Sequence, residues 1–451
     1  MRIISHDVPQ YLIALVQGLR ARLLDPAFRA RHRVRPEDFT RQRQLTFPVI
    51  LLFILQKSLK SIKNHLTELL DSLAPGAVFE TPDTGAVTHA RAKLKDSAFI
   101  ELNRDCVLPA AYHSQRPVFR WRGHRLLGAD SSLMRLPNEP ELGEVFGWQR
   151  SSNQHGDTGT SYPEARLSVL YDLLNGIGLD TRLESSRLGE VALAIEQFSH
   201  LQPNDVVVND RGFSGYLYFA SVWSRGAHFI GRCSRASFLT AQEMFRQNRA
   251  NHTQIVWLQA PAAQQAQCQR LGLPLKLKVR FVSVRLPTGE LEVLATSLLD
   301  GTLYPTAEFL TVYHWRWGHE TFHLLLKGRL ETENFSGRTV EAIRQDVQAA
   351  VLLANLESLV SEPTQEVLDQ AQQARRHALQ VNRSISYHAL KLKLLDLLYR
   401  DLPPEQVITQ LSQLFTGSPV AVRPLRAAPK RRKRSLARSL HFQRSVKKIV
   451  F

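Results

Sequence analysis

The stretch Asp205-Val206-Val207-Val208-Asn209-Asp210-Arg211-Gly212-Phe213 decides the fold. Its β-branched run reads as a strand, and the glycine behind Asp210 as a tight turn. Residues 216–223 then take helical spacing, and 228–233 make a further strand. Working back toward the N-terminus, His124-Arg125-Leu126-Leu127-Gly128-Ala129-Asp130 is a short apolar run ending in an acid and two serines. Residues 166–173 and 178–183 read as the next two strands, turning at Asn175-Gly176, and 188–201 has helical spacing. The order strand, strand, strand, helix, strand, helix, strand defines an α/β fold with a mixed sheet. In such a sheet the first and fourth strands can lie side by side and parallel, which brings Asp130 and Asp210 within reach of one site.

Outward from this centre the pattern changes. Residues 234–305 carry strand-like runs at 255–258, 275–286 and 291–299, with Pro287-Thr288-Gly289 as a hairpin turn, and read as a β-rich insertion. Residues 137–163 read as a polar, glycine-bearing loop. Residues 1–115 are mostly helical and rich in arginine, with apolar-periodic stretches at 11–24 and 47–70. Residues 87–95 (Val-Thr-His-Ala-Arg-Ala-Lys-Leu-Lys) form a short basic helix after a turn, the general form of a helix meant for a DNA groove. Residues 340–360 form an apolar helix expected to pack on the sheet. Beyond Glu405 there is no acid but eleven Lys/Arg, densest at Lys430 to Arg434, so 17 − 11 = +6 is left for the rest of the chain.

Between Pro305 and Ser336-Gly337 lies Tyr313-His314-Trp315-Arg316-Trp317-Gly318-His319-Glu320, continuing to Lys327, which reads as one helix. On a wheel of about 100° per residue, Arg316, Glu320 and Lys327 fall within roughly 60° of Tyr313. Trp315, Phe322 and Leu326 fall opposite, and Trp317 lies about 40° from Tyr313. The helix therefore carries an aromatic and aliphatic back and a Tyr-Arg-Glu-Lys front.

The whole chain sets the bounds. At 451 residues, 43% hydrophobic and 22% charged, it is a globular chain of two or three domains. Its 58 Lys+Arg against 41 Asp+Glu give a net charge of +17, which favours an anionic polymer as partner. Nucleic acid is the first candidate and an anionic membrane surface the second. The longest apolar run, 47–55, is interrupted by Pro48 and is far short of the ~20 residues of a membrane span. Asp7 and the lack of a small-residue cleavage pattern argue against a secretory signal. Cys106, Cys233 and Cys268 are odd in number and far apart, which fits a reducing cytoplasm and neither a zinc nor a disulfide framework. Three acids stand at telling places: Asp130, Asp210 and, mid-helix, Glu320. Carboxylates brought together repel, and a hard divalent cation is the usual resolution.

Asp130-Ser131-Ser132, Asp210-Arg211-Gly212-Phe213 and the Tyr-x2-Arg-x3-Glu-x6-Lys spacing at 313, 316, 320 and 327 resemble the insertion sequence 4 family of DDE transposases. Arg166 to Asp172 and Asn334-Phe335-Ser336-Gly337-Arg338 are similar to segments flanking the family's acids, and the likeness runs from about 120 to 360. It implies an RNase H-like core at 116–233 and 306–372, with 234–305 inserted between the second Asp and the Glu. Around that core it leaves a helical, basic DNA end-binding domain at 1–115 and a helical region with a basic tail at 373–451. It also implies Mg²⁺-dependent cleavage at transposon ends and strand transfer into target DNA, by a homodimer working in the cytoplasm on the nucleoid, with no membrane involved. Asp130, Asp210 and Glu320 would hold two Mg²⁺ ions, with Mn²⁺ as a substitute. Tyr313, Arg316 and Lys327 would contact phosphates near the scissile bond, joined by Arg211 and by Trp317 as a stacking group. Ser131 stands where family members often have glycine, so a small residue is retained. A non-catalytic DNA-binding descendant and a hydrolytic nuclease of the same fold are the alternatives.

Overall fold

The computed structural model describes residues 7–41, 43–58, 60–76, 80–153, 156–371 and 377–422. The basic block Lys430 to Arg434 lies outside the described residues. The chain divides into two compact units, one of 1–118, 135–164 and 326–451 and the other of 119–134 and 165–325. No helix among the described residues is long and apolar enough to cross a membrane.

Among the described residues the main sheet has nine strands: β1 (Leu126–Arg135), β2 (Trp148–Asn153), β3 (Gly156–Asp172), β4 (Ile177–Ser185), β5 (Val206–Asn209), β6 (His228–Arg232), β7 (His252–Gln259), β8 (Lys276–Arg285) and β9 (Leu291–Thr296). In the second unit the order runs β4-β3-β1-β5-β6-β9-β8-β7. β3 and β4 form an antiparallel hairpin, while β5 is parallel to both β1 and β6. The five strands β4-β3-β1-β5-β6 are an RNase H-like arrangement. Val206, Val207 and Val208 are fully buried, because helices cover a parallel strand on both faces and leave no solvent side to alternate with. Helix Glu190–Gln197 leads into β5 and helix Tyr216–Trp223 connects β5 to β6. The segment 234–305 continues the same sheet, since β9 runs antiparallel to β6 and β8 and β7 follow outward.

One face of the sheet is sealed by helix Glu308–Trp315. Its Phe309, Val312 and Tyr313 share a buried cluster with Leu126, Val206, Val208, Ile230, Val282 and Leu294, and Trp315 packs partly buried at its margin. At roughly 1.5–3 kcal/mol per buried large apolar side chain, this contact alone outweighs any propensity term for so short a helix.

The first unit is helical. Helix Phe47–Gln56 is apolar all round and buried all round, with Phe47 and Val49 through Leu55 inaccessible. It packs, with helix Ser97–Leu102, against the long helix Val340–Gln370. The long helix, expected on the sheet, thus finds its partners among the helices of the first unit. Its start is fixed by Thr339, whose side chain accepts from the Ala342 N–H.

Two further expectations are corrected. Residues 137–163 are not a loop: Pro140–Phe146 is a helix that buries Leu142 and Phe146, and β2 pairs antiparallel with the first part of β3. Apart from Trp148, Tyr162 and Pro163, β2 and residues 156–163 contain only polar residues and glycine, so alternation of polarity could not mark them. The basic segment 87–95 is not poised for a groove throughout. Its helix ends at Arg91, and that guanidinium turns inward to bond Gln345 Oε1 (2.7 Å), the Ala342 carbonyl (2.7 Å), Asp346 Oδ1 (2.7 Å) and Ser336 Oγ.

Candidate active site at the ends of two parallel strands

Leu126, Leu127 and Gly128 of β1 lie beside Val206, Val207 and Val208 of β5. Asp130, within β1, and Asp210, just past β5, each fall two residues beyond the Gly128–Val208 pair, so both acids stand at the same end of the paired stretch and on the same face. Neighbouring strands lie about 4.8 Å apart, which puts the two carboxylates within mutual electrostatic reach. Burial pushes the Asp130 carboxyl up to about 6, against the pull of the Ser131 N–H (2.8 Å) and Arg316, while Glu190 and Asp210 push it the same way. Asp210 behaves oppositely. Its burial is outweighed by the Arg211 N–H, Arg316, the Tyr313 hydroxyl and Arg232, which together hold it below the usual carboxylate range. Tyr313 Oη donates to Asp210 Oδ1 at 3.1 Å, and Arg232 Nη1 stands 3.9 Å from the same oxygen. Burial also raises the Tyr313 phenol, which keeps its proton available for that bond.

The helix expected to run unbroken from 313 to 327 is interrupted. Glu308–Trp315 and Trp317–Leu324 are separate helical segments, and Leu325–Arg329 is a π-turn. At the break, the Arg316 N–H bonds the Tyr313 carbonyl and the His319 N–H bonds the Arg316 carbonyl, both three residues back rather than four. A uniform 100° step therefore holds only locally. It brings Arg316 Nη2 onto Glu320 Oε1 at 2.8 Å and the Arg316 guanidinium to 5.5 Å from the Tyr313 ring. Arg316 is 5% exposed, and it draws Asp130 and Asp210 downward as well as binding Glu320. One buried guanidinium thus acts on all three acids.

The remaining sequence candidates are spread out. Trp317 is 49% exposed and stacks against Arg316 at 5.1 Å. Arg211 sits exposed in the turn behind Asp210. Lys327 belongs to the first unit, where its ammonium lies 3.6 Å from Glu333. Ser131 is engaged: its hydroxyl donates to Glu190 Oε2 at 3.1 Å and accepts from Arg166 Nη1 at 3.0 Å.

Four residues escaped the sequence reading. Arg232 at the end of β6 bonds Glu292 of β9 as well as approaching Asp210, and burial raises the Glu292 carboxyl. His319 and His323 lie one helical turn apart with ring centroids 4.9 Å apart, and Tyr171 stacks on His319 at 5.6 Å. A His-x3-His spacing on a helix was the available signal for that pair.

The donor set suits divalent cations. A desolvated carboxylate with a raised proton affinity gains from a nearby positive ion, and Asp130 is one. Asp210, held ionised beside it, supplies a second hard oxygen donor of the kind Mg²⁺ selects. Asp130, His319 and His323 also present ligand atoms that all lie within 4.8 Å of one another. His319 is held neutral by burial, by His323 and by Arg316, and its buried Nε2 has no hydrogen-bond partner. Imidazole donors suit Zn²⁺ better than Mg²⁺.

A family model described as the transposase DDE domain matches residues 121–356, more than half of the chain, and the chain belongs to that family of DDE transposases. It is similar to the transposase InsG for insertion sequence element IS4 of Escherichia coli, 23% identical over 322 residues that cover 70% of each chain. A putative transposase InsZ of the same organism is 30% identical over 93 residues, 21% of this chain and 30% of that one. Among solved structures, the piggyBac transposase synaptic complex with hairpin DNA matches with a TM-score of 0.39 and 9% identity, covering 95% of this chain and 86% of that chain. The family is one of enzymes that act on DNA with divalent metal.

Proposed function

We propose that this transposase cuts DNA at the ends of its element and joins the freed 3′-hydroxyl to target DNA, with Asp130, Asp210 and Glu320 holding two Mg²⁺ ions. The observation that carries the reading is the placement of Asp130 and Asp210 two residues beyond the last paired positions of two adjacent parallel strands, with Arg316 acting on both and bonded to Glu320. When bound, such ions activate an attacking oxygen and stabilise the leaving one in an in-line displacement at phosphorus. The protein's own contribution is positional. Tyr313 and Arg232 keep Asp210 ionised and oriented, and Ser131, Arg166 and Glu190 brace the chain beside Asp130. Arg316, with Arg211 and Trp317, supplies the phosphate and base contacts that hold the scissile strand, and Lys327 of the first unit is a further phosphate-contacting cation. Because one phosphodiester is exchanged for another, no nucleotide cofactor is required. Residues 1–115 serve as the end-binding domain and 234–305 as the insertion in an RNase H-like core of 116–233 and 306–372. The working form is a homodimer on paired ends, acting in the cytoplasm on nucleoid DNA.

The test uses supercoiled DNA carrying the element's inverted repeats and a separate pre-cleaved 3′-hydroxyl end. Native protein with Mg²⁺ should nick at the ends and transfer the pre-cleaved end, and Asp210→Ala should do neither while keeping its DNA affinity. Cleavage by Asp210→Ala at the native rate would remove Asp210 from the site. Cleavage without any strand transfer would make the protein a nuclease.

A further inference from the structure

Between Glu243 and Glu290 the chain has no acidic residue, yet it carries Arg246, Arg249, Arg270, Lys276, Lys278, Arg280 and Arg285. This segment builds the outer end of the sheet, where β7 is the last strand. Thr253, Ile255, Trp257 and Gln259 alternate onto one face of β7 and all four are exposed, Trp257 at 65%. The pairing with β8 sets Trp257 directly opposite Lys278 and Gln259 opposite Lys276, and both lysines are exposed. Arg280, one step further along, is instead buried and bonded to Thr253 Oγ1 and the Tyr304 carbonyl. The open end therefore consists of one indole, one amide and two ammonium groups on a flat surface.

We propose that this face of β7 and β8 holds a single-stranded segment of DNA, with a base stacked on Trp257 and successive phosphates on Lys276 and Lys278. An exposed indole beside cations on a sheet is the arrangement by which single strands are held, since stacking needs a base whose face is open, and duplex DNA hides those faces. The two lysines are about 6.8 Å apart along the strand, so one chain of phosphates can touch both. A second copy of the protein is disfavoured as occupant, because pairing two such edges would bring two acid-free, basic segments together. The surface is separate from the catalytic candidates. β7 lies five strand steps from β1, roughly 24 Å at about 4.8 Å per step. The proposal rests on the chain's being a DNA-handling enzyme but not on the choice of metal ligands.

Fluorescence anisotropy with the full chain in EDTA, using a labelled oligonucleotide and a blunt duplex of the same sequence, tests it without any catalytic step. Trp257→Ala should weaken single-strand binding about tenfold, in line with alanine substitution at stacking sites, and leave duplex binding within about twofold. Trp257→Phe, which keeps a stacking ring, should restore most of the loss. Removing Lys276 and Lys278 together should reduce the salt slope of single-strand binding by about 1.4, at roughly 0.7 per phosphate contact. Trp257 is exposed, so an unchanged urea midpoint will accompany these effects. Unaltered single-strand affinity in Trp257→Ala would overturn the proposal. So would an equal loss on duplex and single strand, or a changed self-association without a change in DNA binding. Asp210→Ala should bind the single strand normally, so a failure of the metal-ligand reading would appear in cleavage and not in this assay.

Discussion

Replacing Arg91 by Met should cost the first unit about 3–5 kcal/mol, the range for removing one partner of a buried ion pair. Asp346 is 1% exposed, and its carboxylate accepts from Arg91 Nη2 at 2.7 Å and from the Ser336 N–H at 2.6 Å. Its burial would raise the carboxyl, but Arg91 first, then Lys57 and Ser336, hold it below the usual range. With Arg91 gone, only Lys57 among these cations remains, and Gln345 and the Ala342 carbonyl each lose a partner as well. At an m-value of roughly 2–3 kcal/mol/M the urea midpoint should fall by about 1–2 M. The deficit should shrink at acid pH, because the unpaired Asp346 then has a folded-state pKa above its unfolded one, and protonation removes the buried charge. Arg91→Met combined with Asp346→Leu should recover most of the loss, since an apolar pair of similar volume is close to neutral in such positions. A midpoint within about 0.3 M of native for Arg91→Met would refute the burial argument. Native stability with weakened DNA binding would restore the groove-facing reading of the segment.

Gly128→Ala tests how closely the helix bearing His319 rides on β1. The added Cβ would meet Leu173 Cδ2 at 3.1 Å and His319 Nδ1 at 3.2 Å, and His319 is wedged between Tyr171 and His323. Thermal unfolding should show a loss of roughly 1–3 kcal/mol from overpacking, and an unchanged or raised midpoint would mean the ring can move aside. Glu101→Gln tests an acid-labile contact in the first unit. Arg31 lowers the Glu101 carboxyl to about 2, against its burial and with help from His32. The depressed folded pKa means that its stabilisation is present above about 4.5 and is lost as pH falls toward 2. Urea midpoints measured from pH 5 to 2 should decline less steeply in Glu101→Gln than in native protein, and parallel declines would contradict the assignment.

What the sequence revealed of the fold follows from where the signal is local. Three valines in succession, an acid and a glycine turn mark β5 unambiguously, and helix Tyr216–Trp223 and β6 follow at the spacing expected of them. The β1–β5 pairing followed from strand order. Regions that failed lacked a local signature. Apart from Trp148, Tyr162 and Pro163, β2 and the first part of β3 are all polar residues and glycine, which carry no polarity period. Arg91 reads as one cation in a basic run, and nothing near it announces Asp346, 255 residues away.

The site divides along the same line. Tyr313, Arg316 and Glu320 are three and four residues apart, so short-range helical geometry alone delivers the 2.8 Å bond between Arg316 and Glu320. Phase beyond that depends on hydrogen bonds that local propensity does not encode: two three-residue closures at Arg316 and a π-turn from Leu325. Arg232 and Glu292 were invisible for another reason. Each is an ordinary charged residue in its own strand, and only the lateral order β5-β6-β9 places one beside Asp210 and the other beside its partner. A residue selected by its neighbour across the sheet has no sequence neighbour to betray it. The same holds for Gly128, whose missing Cβ matters only because His319 lies over it. Motif spacing therefore captures the groups that share a helix, whereas the groups that tune their ionisation come from adjacent strands and become recognisable only with the pairing register in hand.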